Sequence, residues 1–237
     1  MNLIRKGHRQ SHRGVIGVES AIVMIAFVIV AAALAFVVLN MGFSTTQKAK
    51  TTIGSGLTEA SSSLTVAGKV TGTGCTTSAG GCSSTPYLNV TSIPIKIASG
   101  GESVNLALAT ASVKYISNSI QYDNIYVGPL GATATDVSAA FTRAQTDYAS
   151  TFTSSIHPVT KAVPTNTKAI VYWSVSTGTL NAILDQGEHA VLAIAHGASE
   201  RPTALDKVRA EIVVPTGAPL TVERQVPTIT TSVVDMG

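Results

Sequence analysis

The 237-residue chain is 45% hydrophobic and only 12% charged, against about a quarter charged in an ordinary soluble domain. Its net charge of +3 resides in the leader: Arg5, Lys6, Arg9 and Arg13 precede Val15 with no acid, and the remainder holds 12 basic against 13 acidic residues. That remainder carries no basic patch of the kind that binds nucleic acid, and the length admits one substantial core plus an appendage.

The first element is MNLIRKGHRQSHR, a basic segment, followed by an apolar run. Ala21 to Leu39 is 19 residues without a charge, about 28 Å of helix and close to the hydrocarbon thickness of a bilayer. Basic residues ahead of it favour a cytoplasmic N-terminus and an exported remainder. The run is longer than that of a secretory signal and no small-residue cleavage site closes it clearly; the local candidate for cutting lies before it, at Arg13-Gly14. One acid, Glu19, stands at its edge.

Asn40-Met41-Gly42-Phe43 is a soft point, after which helix-compatible spacing resumes from Thr45. Ile53, Leu57, Ala60 and Leu64 share one face. Gly54 and Gly56 weaken this half by roughly 1 kcal/mol each relative to alanine. The pattern predicts a helix from about Ile16 to about Leu64, roughly 70 Å long.

GKVTGTGCTTSAGGCSSTP then reads as a loop. Its Cys75 and Cys82 are the only cysteines. A disulfide stapling an exported loop is the leading reading and two free thiols the next. A metal site is the weakest, since two sulfurs with no nearby histidine do not complete a tetrahedral shell. Asn89-Val90-Thr91 is the only N-x-S/T sequon, open to a glycan if the strand edge is accessible and otherwise unused.

Short strands follow. Lys168–Ser176 places Ala169, Val171, Trp173 and Val175 on one face. Leu205–Val214 sets Val208, Ala210, Ile212 and Val214 against Lys207, Arg209 and Glu211. Leu220, Val222, Arg224 and Val226 alternate between Pro219 and Pro227. Val104–Ile116 and His189–His196 are apolar on both faces, as central strands are. Seven or eight strands of this kind predict a β-sandwich.

Catalytic chemistry finds little support. His189 and His196 lie seven apart in one predicted strand and face opposite sides, which removes them as a metal pair. His157 stands alone, and Asp185 and Glu188 flank a Gln186-Gly187 turn where acids are usually just solvated. No G-x-S-x-G, phosphate-binding loop or C-x-x-C occurs. Neither an enzymatic role nor a cofactor or metal is expected.

Arg13-Gly14, then VIGVE, then the apolar run resembles the class III signal peptide of type IV pilins and archaeal flagellins (archaellins). FVVLNMGFSTTQKAKTTIGSGLTEASSSL, Leu180–Ala195 and Arg209–Pro227 are similar to archaellin segments, so the resemblance covers about the first 65 and the last 60 residues. It implies a signal peptide over residues 1–14, a filament-core helix over 15–65 and an outer immunoglobulin-like antiparallel β-sandwich over 66–237, an α+β chain. It also implies cleavage after Gly14 by a prepilin-type signal peptidase, which makes Val15 the new N-terminus and Glu19 the fifth residue. Glu19 then either begins a helix, where an acid complements the dipole, or is neutralised by a neighbour's free N-terminal amine, as proposed for pilins. Ala31, Ala32, Ala35 and Phe36 are expected to pack between helices.

The implied role is the structural subunit of the archaeal swimming filament. The subunit would be stored in the membrane before assembly, polymerise with copies of itself and work with archaellum motor and export machinery, without nucleic acid. An adhesive pilus-like subunit and a membrane-anchored extracellular binding module are the alternatives.

Overall fold

A computed structural model describes residues 13–61, 64–75, 86–178 and 181–237, with side chains for all of these except 13–16, 58–61 and 75. The chain divides into two compact units between Ser55 and Gly56.

The first unit is one element. α1 runs over Arg13–Ser61, 49 residues, about 73 Å of helix. It contains no proline, and Gly42 and Gly54 sit inside it without ending it. Thr45, Thr46, Thr51 and Thr52 turn their hydroxyls back onto the carbonyls of Met41, Gly42, Gln47 and Lys48 at 2.8–2.9 Å. These bonds let residues that usually favour other conformations sit within the helix. α1 does not reach Leu64, as the apolar spacing predicts it would. Leu64 belongs to a strand and is 4% exposed.

The second unit holds thirteen strands and one helix among its described residues. In chain order these are β1 (Leu64–Val66), β2 (Thr71–Cys75), β3 (Tyr87–Ile97), β4 (Val104–Asn105), β5 (Ser112–Ser117), β6 (Gln121–Tyr122), β7 (Tyr126–Thr133), α2 (Val137–Asp147), β8 (Lys168–Val175), β9 (Ile183–Leu184), β10 (His189–Ala195), β11 (Lys207–Val213), β12 (Leu220–Gln225) and β13 (Val233–Asp235). A seven-stranded sheet has the order β13-β2-β3-β10-β8-β7, with β1 also on β3. A four-stranded sheet runs β12-β11-β5-β6, and β4 pairs with β9.

The two larger sheets enclose the main core. Ile93, Ile95, Val171, Trp173, Leu192 and Ile194 come from the large sheet; Val113, Tyr115, Val208, Ala210, Ile212 and Val222 come from the small one. Alternation in β11 and β12 is the pattern the sequence shows, because only one face of the small sheet is covered.

The large sheet is different. In β8 the predicted inward residues Ala169, Val171 and Trp173 are buried, but so are Ile170 and Tyr172, while Val175 is exposed. A second core lies on that outer face, where Val90, Ile170, Tyr172, Ala193 and Ala195 meet Ala140, Phe141 and Ala144 of α2, together with Phe152. The sequence reading contains no such helix, yet its signals are ordinary. Asp136 caps it, accepting from the Ala139 amide at 2.8 Å. Ala140, Phe141 and Ala144 form its buried stripe, and Arg143 pairs with Asp147 one turn on at 3.0 Å.

α2 also explains a departure from an all-antiparallel sandwich. β7 runs parallel to β8, which requires a long crossover connection, and the segment containing α2 is that connection. The helix is held close to β7: the Tyr148 hydroxyl donates to the Pro129 carbonyl at 2.6 Å. Gly128 has φ +138°, and a Cβ there would collide with that hydroxyl. The expected strand over Val104–Ile116 is interrupted for a related reason. Ala107–Thr110 forms a turn, with Leu108 exposed, and divides it into β4 and β5.

Candidate functional site

The feature with the greatest capacity for interaction is the surface of α1. Every described residue from Gly17 to Leu57 is exposed. Phe27, Leu39 and Phe43 are 70%, 72% and 68% exposed. Gly17–Leu57 is long and apolar enough to cross a membrane. A helix that is apolar around its whole circumference is stable only when lipid or protein surrounds it. Ala31, Ala32, Ala33 and Ala35 form a narrow waist, and Phe36 beside them is exposed. Small residues let a second helix approach closely. The threonines beyond the apolar run extend this surface, because hydroxyls already bonded to their own helix lose less on leaving water.

Arg13, Gly14 and Val15 lie in α1. Glu19 lies one turn further on, with Ile22 and Val23 beside it on the next turn.

The remaining predicted positions are placed as follows. Cys82 lies outside the described residues, as does the Cys75 side chain, so the disulfide stays an expectation. Asn89 is 4% exposed in β3, and its amide nitrogen donates to the Pro158 carbonyl at 3.0 Å. The sequon's accessible-edge condition is therefore not met: a glycan there requires displacing the segment that carries Pro158. The histidines are dispersed. His196 is buried between Thr91 and Tyr115, with ring nitrogens 2.8 and 3.2 Å from their hydroxyls. His157 bonds to Thr142 and to the Ser138 carbonyl of α2. Among the described residues no group of three metal-ligating side chains converges.

Two carboxylates are more than solvated. Glu188 is 6% exposed and accepts from Trp173 Nε1, Ser176 Oγ and the amides of Thr177 and Asp185, all at 3.1 Å. Burial alone raises its pKa, but these four donors outweigh it and hold the carboxyl below its ordinary value. Glu200 behaves alike. Burial raises its pKa, while the hydroxyls of Tyr122 and Thr167, the Thr167 amide and the charge of Lys168 bring it below the usual range. Both anchor loops through these hydrogen bonds. Sequence reasoning sees Glu188 only as a turn acid and does not single out Glu200, whose donors Tyr122 and Thr167 lie 78 and 33 residues away.

The helix surface leads to a measurable expectation. Ala35→Leu adds bulk where helices approach. It should reduce the yield of surface filaments sheared from cells by about tenfold, an order-of-magnitude expectation from overpacking costs of 1–3 kcal/mol. Filaments of normal abundance would refute close packing at this waist.

Comparison with known proteins places the chain. The family profile described as archaeal-type flagellin matches residues 14–224. A protein of Aeropyrum pernix described as "Probable flagellin 1" is 37% identical over 225 residues, covering 91% of this chain and 92% of that protein. "Probable flagellin 2" of Archaeoglobus fulgidus is 42% identical over 73 residues, 31% of this chain and 35% of that one. Two solved structures share the fold. The archaeal flagellum of Methanospirillum hungatei has a TM-score of 0.52 at 24% identity, covering 89% of this chain and 93% of that one. Flagellin FlaB1 of Methanocaldococcus jannaschii has a TM-score of 0.52 at 19% identity, covering 74% and 96%. With its N-terminal apolar helix, its β-rich second unit and a family match over most of its length, this chain belongs to the archaeal-type flagellin family.

Proposed function

We propose that the protein is the structural subunit of an extracellular swimming filament, built from copies of itself and without catalytic function. The observation that carries this reading is the apolar surface of α1 from Ala21 to Phe43, exposed on every side of the helix. The subunit is first stored with this helix in lipid, its basic leader on the cytoplasmic side. A prepilin-type peptidase cuts after Gly14 and removes the four basic residues that tether it. The helix then leaves lipid for a bundle of identical helices, which is equally apolar, so the transfer has only a small driving force of its own. The gain appears as resistance to dissociation once the bundle stands in water, at about 1.5–3 kcal/mol for each large side chain kept buried. A contact between unlike faces of successive subunits does not close, and a helical filament results. The β-rich unit forms the outer layer, and motor and export machinery of the archaellum assemble and drive the filament.

Mass spectrometry of sheared surface filaments tests this. The expected result is an N-terminal peptide beginning at Val15. Recovery of the chain only from membranes, with residues 1–14 intact, would overturn the filament role in favour of a membrane-anchored module. Loss of the gene should abolish swimming; loss of surface attachment with swimming retained would indicate the adhesive alternative.

A further inference from the structure

Thr71–Cys75 reads as part of a loop, since TGTGC holds two glycines and no large apolar side chain, yet it forms β2. Glycine inside a strand weakens it. β2 persists because both of its edges are paired, one with β3 and the other with β13. Its glycines are places of close approach. A Cβ at Gly72 would strike Leu88 and stand 3.2 Å from Met236 Sδ, and one at Gly74 would strike Ile229 and stand 3.1 Å from the Thr231 carbonyl oxygen. Residues 229–237 therefore need a β2 without side chains at these two positions, and β2 needs residues 229–237 for one of its edges.

The same segment fills the main core with Ile229, Val234 and Met236, all buried. Val70, fully buried, donates its amide to the Gly237 carbonyl at 3.2 Å and accepts from the Met236 amide at 2.9 Å, and the Gly74 amide donates to the Ser232 carbonyl at 2.9 Å. Lys69 pairs with Asp235, 166 positions further along. Without residues 229–237 three large side chains leave the core together and β2 becomes an open edge. The burial lost is comparable with the whole margin of stability of a domain.

We propose that residues 229–237 are a strap that closes the β-rich unit, so that the unit completes its fold only after this segment has been made and has crossed the membrane. The crossing half rests on the filament reading above. Until the strap arrives the chain stays open, and an open chain threads a passage that a closed unit about 40 Å across does not.

The full chain in detergent micelles tests the strap, with the fluorescence of Trp173 as readout, since this single tryptophan is buried in the main core. A chain ended after Thr228 should show the emission of a water-exposed indole. Adding a synthetic peptide of residues 229–237 should restore the buried emission. The peptide carrying Val234→Asp and Met236→Asp should not restore it, whereas one carrying Val233→Asp should, because Val233 is exposed. Gly74→Val in the full chain should expose the indole as the truncation does, and Gly68→Ala, where a Cβ meets only ordinary contact with Pro94, should leave it buried. A buried indole in the truncated chain or in Gly74→Val, or no response to the parent peptide, overturns the strap.

Protease added outside intact cells tests the crossing. The chain ended after Thr228 should be digested there and the parent's β-rich unit should resist, which shows that passage precedes closure. Retention of the truncated chain inside overturns the order of events and leaves both the strap and the filament reading standing. Absence of the parent chain from the cell surface removes the filament reading itself.

Discussion

Replacing Trp173 with alanine should destabilise the β-rich unit by about 3–5 kcal/mol, the range for truncating a large buried aromatic. Trp173 is the single tryptophan, 1% exposed at the centre of β8. It packs in the main core between the two sheets, and its Nε1 donates to Glu188 at 3.1 Å. Truncation therefore does two things. It opens a cavity that neighbouring strands cannot close, and it removes one of four donors from a nearly buried carboxylate. Trp173→Phe separates the effects: most of the volume stays, only the donor goes, and the expected cost falls to about 1–2 kcal/mol. Thermal unfolding of the unit from Gly56 onward, followed by circular dichroism, measures both. A midpoint drop of about 10 °C is expected for the alanine variant. Equal midpoints for the alanine and phenylalanine variants would show that packing around this ring contributes nothing.

Lowering the pH should destabilise the same unit in two stages, the first of which His196 controls. His196 is fully buried, and burial pushes its pKa down to about 3. Around it stand the hydroxyls of Thr91 and Tyr115, and burial holds the Tyr115 phenol well above its ordinary value, so the tyrosine stays neutral. Glu200 and Asp206 are near enough to act on that phenol.

An imidazole with a depressed folded pKa leaves the native state without a proton that the unfolded chain binds. Below pH 6.5 the unfolded state takes up this proton and the folded state does not, so stability falls with pH until about 3. The whole loss amounts to about 4–5 kcal/mol at most, from 1.36 kcal/mol per unit. The second stage belongs to carboxylates. Glu188, Glu200 and Asp206 have lowered pKa values, the last chiefly through the Thr203 amide. Their stabilisation is present above the ordinary carboxylate range and is lost as pH falls through their folded values. His196→Gln removes the titration while keeping a hydrogen-bonding side chain. Its stability should be flat from pH 6.5 to about 4.5, where the parent declines, and fall only below that. Parallel profiles for both proteins, measured by denaturant titration, would sink the assignment to His196.

Some elements declare themselves locally. An apolar stretch as long as Ala21–Leu39 needs no partner to be recognised as helix, since composition and length alone exclude the alternatives in lipid or a bundle. The Arg13-Gly14 junction and the spacing to Glu19 are likewise linear features. β11 and β12 alternate cleanly because one face meets the core and the other meets water. These sufficed for the helix-then-strand order, while the family and the filament role came from the resemblance of the leader and of Leu180–Ala195 and Arg209–Pro227 to archaellin segments.

What the linear pattern left undetermined depends on groups brought together from far apart. The burial of both faces of β8 follows from α2 lying over the outer side of the large sheet, and nothing within Lys168–Val175 says which helix covers it. Asn89 looks like an accessible sequon until Pro158, 69 residues later, closes over its amide. Glu188 looks like a solvated turn residue until Trp173 and Thr177 converge on it. Side-chain periodicity encodes only the polarity of each face of an element. Which surface covers that face, and which donors reach a carboxylate, is decided by tertiary packing, because those partners are fixed by the contact of distant segments and leave no periodic trace in either one.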